Sequence, residues 1–377
     1  MPKGERKKIL FVIPSLAGGG AERVILDVLT HLNREKFIPH LALFKKEGIF
    51  LSQIPEDVIV YDLNKKGKSD FLKIVFILAY SIYPRFRPDV VVSFLDYTNL
   101  VTLVSKGLSF IKPKVIITEH GNLKRTHKNE KRKNIRGLLT RIFYPLSDKI
   151  IAVSQGTMRD LKKNFNISTN KTKVIYNGVN IESVTKLAQE SVDDYGFRDK
   201  SVPVITACGR LTDQKNYSLL LKAFAKINKR VNANLIILGE GIKREFLENL
   251  IKDLELCDSV FLPGFQMNPF KYIAKSDIFV LSSSWEGFGN VIIEAMACGV
   301  PVISTDCPYG PNEIITDGIN GLLVPVGNVE AMAEAILGLL KDEPLRNRLA
   351  HAGKKRAEDF KVEKMVAEYE KVLYEPL

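Results

Sequence analysis

Cysteine is scarce in this sequence, and several familiar signatures are missing altogether. There are four cysteines in 377 residues, at positions 208, 257, 298 and 307. They lack metal-ligand spacing and sit in apolar or helical contexts, so neither a disulfide framework nor a zinc site is expected, and reduced, buried thiols in a cytoplasmic protein are. No two aspartates are separated by a single residue, so the compact Asp-x-Asp pair that often holds a divalent cation is absent. No apolar run reaches membrane-spanning length: the longest, "IVFILAYSIYP" from Ile74, is short and leads into Arg85 and Arg87. Tandem repeats of solenoid length are absent too. The opening "MPKGERKKILFVIPSL" is basic and then apolar, but it has no clean cleavage site and reads as a first buried strand rather than a signal peptide.

What is present is ordinary globular material with an uneven charge. Hydrophobic residues make up 45% and charged residues 26% of the chain, and the length suits two domains better than one core. The net charge is +12. Residues 1–180 hold 32 Lys+Arg against 15 Asp+Glu, or +17, and the remainder holds 23 against 28, or −5. A surplus confined to one half points to a binding surface.

Both halves alternate short β-branched runs with amphipathic stretches, the pattern of parallel sheets with crossover helices. "KILFVIPSL", "HLALF", "VIVYDL", "DVVVSFL", "KVIITEH", "KIIAVS" and "TKVIYN" read as strands of a first domain. "VPVITACGRL", "NLIILGEG", "SVFLPGF", "IFVLSSS", "PVISTDC" and "GLLVPV" read as strands of a second. The expected class is α/β, with two doubly wound domains at 1–182 and 183–359, and a last helix at 360–377 that could return to either. Such domains place their ligands beyond the carboxyl ends of the strands, here expected to face one another across a cleft.

The chemistry should therefore lie just after each strand. Gly18, Gly19 and Gly20 form a tight turn into a helix, able to approach a phosphate and equally able simply to pack helix on strand. The turn is not G-x-G-x-x-G, and strand two ends in Phe44-Lys45-Lys46 where a ribose-binding acid would be needed, which argues against a nicotinamide dinucleotide. Glu119 and His120 follow another buried strand; such a histidine is either a satisfied turn residue or a ligand-facing one. In "ACGRLTDQKN", Arg210 and Lys215 lie five residues apart across a βα turn. A planar fork and a point charge there suit a diphosphate, and a lysine at a helix start is otherwise disfavoured by the helix dipole. In "WEGFGNVIIEAMACGVP", the N–H groups around Phe288, Gly289, Asn290 and Val291 offer a cradle for an anion or hydroxyls. Glu286 precedes that turn, and Glu294 lies one helical turn inside an apolar helix. A carboxylate accepts hydrogen bonds from neighbouring hydroxyls, so one glutamate suits a sugar ring and the other a ribose.

Taken together, Glu286 and Glu294, the preceding Gly209-Arg210 and Lys215-Asn216, and the following "GVPVISTDC" and "DGINGLLVP" resemble the retaining glycosyltransferases of family 4 on the GT-B fold. The resemblance runs from "GGGAERV" to the terminal helix. It implies that Glu286 contacts the donor sugar and Glu294 the ribose, that Arg210 and Lys215 neutralise the departing diphosphate, that Phe265 meets the base, and that His120 reaches the sugar from the other domain. It also implies retention of anomeric configuration, and no nucleophile is evident for a double displacement. With no Asp-x-Asp, a metal is not expected and no cofactor is required beyond the nucleotide-sugar substrate; cations and a helix dipole take that part. The stretch "STDCPYGPNEII" further resembles bacterial transferases that add N-acetylgalactosamine or related sugars to undecaprenyl-diphosphate glycans.

The acceptor is expected where the positive charge concentrates. Lys124, Arg125, Lys128, Lys131, Arg132, Lys133, Arg136 and Arg141 face a single acid, Glu130, in the run after His120. This is either a solvated surface or a contact with an anionic membrane, and the apolar Phe71–Pro84 segment favours the membrane. A peripheral protein on the cytoplasmic face, acting on a polyprenyl-diphosphate-linked glycan with a UDP-linked N-acetylhexosamine as donor, follows as the expected reading. Another hexose for capsule, lipopolysaccharide or teichoic acid is the alternative. A glycosidase would not need Arg210, Lys215 and the anion cradle, and the chain lacks an eightfold βα repeat. A nucleic-acid-binding protein would leave the strand-end residues unexplained, and the basic run has no interleaved aromatics for base stacking.

Overall fold

A computed structural model describes residues 6–67, 70–121, 133–192, 195–199 and 201–375. The chain divides into two compact units, residues 1–178 with 362–377, and residues 179–361.

The first unit holds seven strands: β1 (Lys7–Ile13), β2 (Phe37–Leu43), β3 (Ile59–Asp62), β4 (Val90–Phe94), β5 (Lys114–Glu119), β6 (Lys149–Ala152) and β7 (Thr172–Val174). They form one parallel sheet in the order β3-β2-β1-β4-β5-β6-β7. Parallel strands need helices on both faces, which is why these strands are apolar almost throughout rather than alternating. Successive side chains still point opposite ways. Ile9, Phe11, Val92 and Ile116 enter one core with the helices Gly20–His31 and Val362–Tyr374. Leu10, Val12, Val91 and Ile117 enter the other, with the helical segments 71–86, 96–108 and 133–143.

The second unit holds β8 (Val204–Cys208), β9 (Asn234–Leu238), β10 (Val260–Gly264), β11 (Ile278–Leu281), β12 (Val302–Thr305) and β13 (Leu322–Val324), parallel in the order β10-β9-β8-β11-β12-β13. Eleven of the thirteen strands fall within runs picked out by the sequence pattern; β1 begins one residue before its run, and β2 begins at Phe37, three residues before "HLALF". In both sheets the order reverses beside the first strand, between β1 and β4 and between β8 and β11. Ligands in open α/β sheets bind beyond the carboxyl ends at such reversals, which here are flanked by the turns after β1, β4, β8 and β11.

The boundaries differ slightly from 182/183 and 359/360. They fall at Gly178/Val179 and Lys361/Val362, because Val179 bridges to Lys361 and its N–H donates to the Phe360 carbonyl at 2.9 Å, tying both crossing points into the second unit. The last helix, Val362–Tyr374, packs in the first unit. Tyr369 stacks on Phe94 with ring centroids 6.5 Å apart, and a Cβ on Gly178 would stand 2.7 Å from the Val362 Cα, so only glycine lets that helix approach.

All four cysteines are free. Cys307 is buried and Cys208 and Cys298 are half-buried, but Cys257 is exposed, contrary to expectation: the buried apolar run ends at Leu256 and Cys257 lies in the turn beyond. Among the described residues no helix is long and apolar enough to cross a membrane.

Candidate functional site

The turns after β8 and β11 are joined through side chains that the sequence spaces about seventy residues apart. Gly209 leaves β8 with φ +150°, a conformation that strains any L side chain, and a Cβ there would stand 2.8 Å from the Lys215 Cε. Lys215 therefore folds back over the glycine. Asn216 then takes a left-handed conformation (φ 48°) to start the helix Tyr217–Asn228.

The Lys215 Nζ donates to Glu286 Oε1 at 2.7 Å, with the two side chains 15% and 8% exposed. Ser283 Oγ donates to the same oxygen at 2.6 Å. Gln214 Nε2 donates to the Trp285 carbonyl at 3.0 Å and reaches Glu286 Oε2 at 3.5 Å, while the Ser284 N–H donates to the Gln214 carbonyl at 2.8 Å. Ser282 Oγ donates to the Lys215 carbonyl at 2.8 Å. A buried carboxylate needs such partners, and here they hold a positive and a negative group in register at one strand-end turn. Arg210 lies exposed on the same loop.

Beyond Glu286, Gly289 (φ 103°) opens the helix Asn290–Ala297, and no side chain caps it. Its N-terminal end therefore keeps its affinity for an anion or hydroxyl. The segment after β12 braces this turn. The Glu286 N–H donates to the Pro308 carbonyl at 3.0 Å, Tyr309 holds a strained positive φ of 77°, and a Cβ on Gly310 would collide with the Phe288 carbonyl oxygen at 1.9 Å. Burial, with Glu286 nearby, pushes the Cys307 thiol up to about 12, so it is an inert packing group. Glu294 is half-buried on the helix, and Phe265, just after β10, is 48% exposed.

The first unit has a different character. His120 follows β5 and stacks on Phe94, centroids 5.3 Å apart. Its Nε2 lies 3.0 Å from Thr118 Oγ1, which itself donates to the Ser93 carbonyl at 3.0 Å. With its proton spent there, the Thr118 hydroxyl accepts from an Nε2–H, leaving Nδ1 as an acceptor. Burial holds the His120 pKa down to about 3, so the ring is neutral. Beside it Glu119 points inward and accepts from the Tyr144 hydroxyl at 2.8 Å; Tyr144 is held by Asn99, and Asn99 by Ser93. Burial, with Asp96 nearby, raises the Glu119 carboxyl well above the usual range, favouring its protonated form.

Gly18 takes a φ of 109°, Gly19 precedes the helix Gly20–His31, and no side chain caps that helix. The Glu22 carboxylate folds over the turn, 2.4 Å from where a Cβ on Gly19 would stand, so an acid already faces the space read from the sequence as a phosphate approach.

Arg136 lies on the helix Lys133–Phe143 and pairs with Asp96 at 3.6 Å. Lys124, Arg125, Lys128, Lys131 and Arg132 lie outside the described residues, and Lys133 is described only as the first residue of its helix.

Within the second unit the structure thus joins Lys215 directly to Glu286, a pairing the sequence reading had not made. Ser283, Gln214 and the Glu119–Tyr144–Asn99 chain were missed as well. The hydroxyl run of "LSSSWEG" at a strand end was the available signal for Ser283; Gln214 and Tyr144 carry none.

Two family models match the chain, one described as Glycosyltransferase Family 4 over residues 18–183 and the other as Glycosyl transferases group 1 over residues 189–356. In Campylobacter jejuni subsp. jejuni serotype O:2, N-acetylgalactosamine-N,N'-diacetylbacillosaminyl-diphospho-undecaprenol 4-alpha-N-acetylgalactosaminyltransferase is 34% identical over 361 residues, 94% of this chain and 96% of that protein. The GalNAc-alpha-(1->4)-GalNAc-alpha-(1->3)-diNAcBac-PP-undecaprenol alpha-1,4-N-acetyl-D-galactosaminyltransferase of the same organism is 27% identical over 379 residues, 98% of each chain. Among solved structures, Anabaena Alr3699/HepE in complex with UDP and glucose superposes with a TM-score of 0.82 at 23% identity, over 98% of this chain and 99% of that one.

Proposed function

This chain belongs to glycosyltransferase family 4, with the GT-B fold, and on that premise we propose that it transfers an N-acetylhexosamine, N-acetylgalactosamine as the first choice, from a UDP donor onto an undecaprenyl-diphosphate-linked glycan at the cytoplasmic face of the membrane. The observation that carries the donor side is the joined pair of turns: Lys215 bonded to Glu286 at 2.7 Å, with Arg210 on the same loop and an uncapped helix N-terminus following directly. The relatives' acceptors support the lipid-linked glycan.

The chemistry breaks the bond between the anomeric carbon and the diphosphate oxygen and makes a bond from that carbon to an acceptor hydroxyl oxygen. Negative charge accumulates on the departing diphosphate. Arg210, Lys215 and the start of the helix Asn290–Ala297, through the amides of Phe288, Gly289, Asn290 and Val291, are the groups assigned to hold it. Fixed charges of this kind need no reorganisation during the reaction. Glu286, kept in place by Ser283 and Gln214, accepts hydrogen bonds from the donor sugar. Glu294 takes the ribose, and exposed Phe265 stacks on the base. Neutral His120 offers Nδ1 to a sugar hydroxyl. The new bond forms on the face that the diphosphate leaves, which retains configuration, and the acceptor proton passes to the leaving diphosphate. Without an Asp-x-Asp pair in the sequence, these cations are assigned the role a metal has in other transferases. The surplus of cations in residues 1–180 supports an acceptor carrying phosphates at an anionic surface.

The test is a panel of nucleotide sugars incubated with the protein in the presence of chelator, with and without short-chain polyprenyl-diphosphate glycans, reading released nucleoside diphosphate and the anomeric configuration of the product. UDP release that depends on an N-acetylhexosamine donor and a lipid-linked acceptor is expected. Turnover of another hexose would move the reading to capsule, lipopolysaccharide or teichoic acid assembly. Loss of turnover with chelator would remove metal independence, and an inverted product would remove retention.

A further inference from the structure

Three helical segments lie side by side on one face of the seven-stranded sheet, and the outer two expose apolar side chains. The segment 71–86 changes pitch, α over Phe71–Ile77, π over Leu78–Ile82 and α again over Tyr83–Phe86. Short π segments are uncommon and often mark function. The whole stretch 71–86 buries Ile74, Leu78 and Ile82 while leaving Leu72, Phe76 and Tyr80 exposed. Phe71 meets Tyr97 at the start of the helix Asp96–Leu108, and Tyr80 meets Phe110 just past its end, with centroids 6.1 and 6.2 Å apart. The two segments therefore run in the same direction. On the other flank, Arg136 pairs with Asp96 at the start of the middle helix, and Asp148 pairs with Lys106 near its end, so the helix Lys133–Phe143 runs alongside too.

The exposed aromatics form a chain. Phe76 stacks on Tyr80 at 5.8 Å, and Tyr80 meets the ring of Phe110, which is 88% exposed. On the far helix, Ile135, Leu138 and Ile142 make an exposed stripe at helical spacing. Nine of the eighteen exposed large apolar side chains among the described residues fall between positions 72 and 146. Single exposed apolar residues are ordinary, but a concentration of this kind marks an interaction surface.

We infer that this three-helix layer is the face that docks on an anionic phospholipid bilayer, with Phe76, Tyr80 and Phe110 inserted at the headgroup–acyl boundary. The inference rests on the lipid-linked acceptor proposed above and names the surface that would bring the chain to it. Charge selects the occupant. Among the described residues of 71–149, exposed Lys73, Arg85, Arg87, Lys112 and Arg141 stand against exposed Asp89 alone, in or beside the segments that carry the apolar groups. The cores of protein–protein interfaces are depleted of charge, whereas interfacial membrane helices combine aromatic or aliphatic side chains with Lys and Arg. Aromatic rings that are apolar in body and partly polar in edge suit that depth.

Flotation with vesicles of phosphatidylcholine alone, and of phosphatidylcholine with phosphatidylglycerol, tests the assignment. The unaltered protein floats with the anionic vesicles. The combined Phe76→Ser, Tyr80→Ser and Phe110→Ser variant partitions at least about tenfold less, since each ring loses its apolar transfer on leaving water, while turnover of a water-soluble short-chain acceptor stays within about twofold by the same reasoning that the rings lie outside the donor site. The single Phe110→Trp variant, which preserves apolar bulk, gains fluorescence quenching by brominated anionic lipid over the background of Trp285. Flotation of the triple variant equal to that of the unaltered protein would overturn the inference, as would an unquenched Phe110→Trp. A dimer that the triple variant dissociates would overturn it in favour of a second copy of this chain. Failure of glycosyl transfer itself would show separately, as absent donor turnover in the unaltered protein.

Discussion

The two units use the ends of parallel strands for opposite electrostatic purposes. After β8 and β11, Lys215 and Glu286 are charged partners braced by Ser283 and Gln214, with exposed Arg210 on the loop that follows β8. After β5, the titratable pair is discharged: burial lowers the His120 imidazole to about 3 and raises the Glu119 carboxyl. One unit keeps a paired cation and anion at its strand ends, and the other keeps a neutral ring and an acid held toward its neutral form. The same βα architecture thus supports both roles, and what separates them is whether a charge is paired or desolvated.

The comparison breaks most readily at Lys215. Lys215→Ala removes a preorganised cation and leaves buried Glu286 without its ionic partner. A loss of about 3–4 kcal/mol in transition-state stabilisation, a hundredfold or more in kcat, is expected. Steady-state kinetics on the purified variant check it, and near-normal kcat would place the diphosphate elsewhere.

A second break tests the neutral side. Glu119→Ala strands the buried Tyr144 hydroxyl and is expected to cost about 1–3 kcal/mol of stability at neutral pH. Glu119→Gln preserves an acceptor and an uncharged side chain, and should melt close to the unaltered protein. Thermal melts of both variants decide; a Gln variant as unstable as the Ala variant would mean that the carboxylate is charged. The pH dependence follows in sign. A raised carboxyl pKa contributes stability below the unfolded value near 4.5 that is lost as pH rises through the folded value. A lowered histidine pKa contributes stability above the unfolded value near 6.5 that is lost as pH falls toward about 3.

Smaller changes sharpen the contrast. Ser283→Ala deletes one hydrogen bond to Glu286 while leaving Lys215 in place, and should lower kcat/KM by about fivefold, the worth of roughly 1 kcal/mol. A loss as large as that of Lys215→Ala would make Ser283 a partner of the substrate rather than a brace. The smallest expected effect is none. Between about pH 5 and 8, kcat/KM should show no step that disappears in His120→Gln, whereas an ordinary histidine would titrate near 6.5.

Strands and turns were legible in the sequence because they are local. The β-branched runs gave all thirteen strands, and glycine patterns marked the turns at Gly209 and Gly289. Arg210, Lys215 and Glu286 stood out as charges at strand ends. The Lys215–Glu286 bond was not legible, since it spans seventy-one residues and depends on β8 and β11 becoming neighbours at the sheet reversal. For the same reason the inward turn of Glu119 was not legible, since its partner Tyr144, and Asn99 behind it, come from two other elements. The last helix was amphipathic in sequence, but which unit received it depended on long-range packing of Val362, Met365 and Tyr369 in the first unit's core, with close approach at Gly178.

Calorimetric titration of UDP into the unaltered protein and into the Arg210→Ala, Lys215→Ala double variant puts the question most plainly. If positive charge at the β8 turn holds the diphosphate, affinity should fall by about a hundredfold or more and the salt dependence of binding should largely vanish with it. Equal affinity in the two proteins would contradict the assignment of this turn as the donor site.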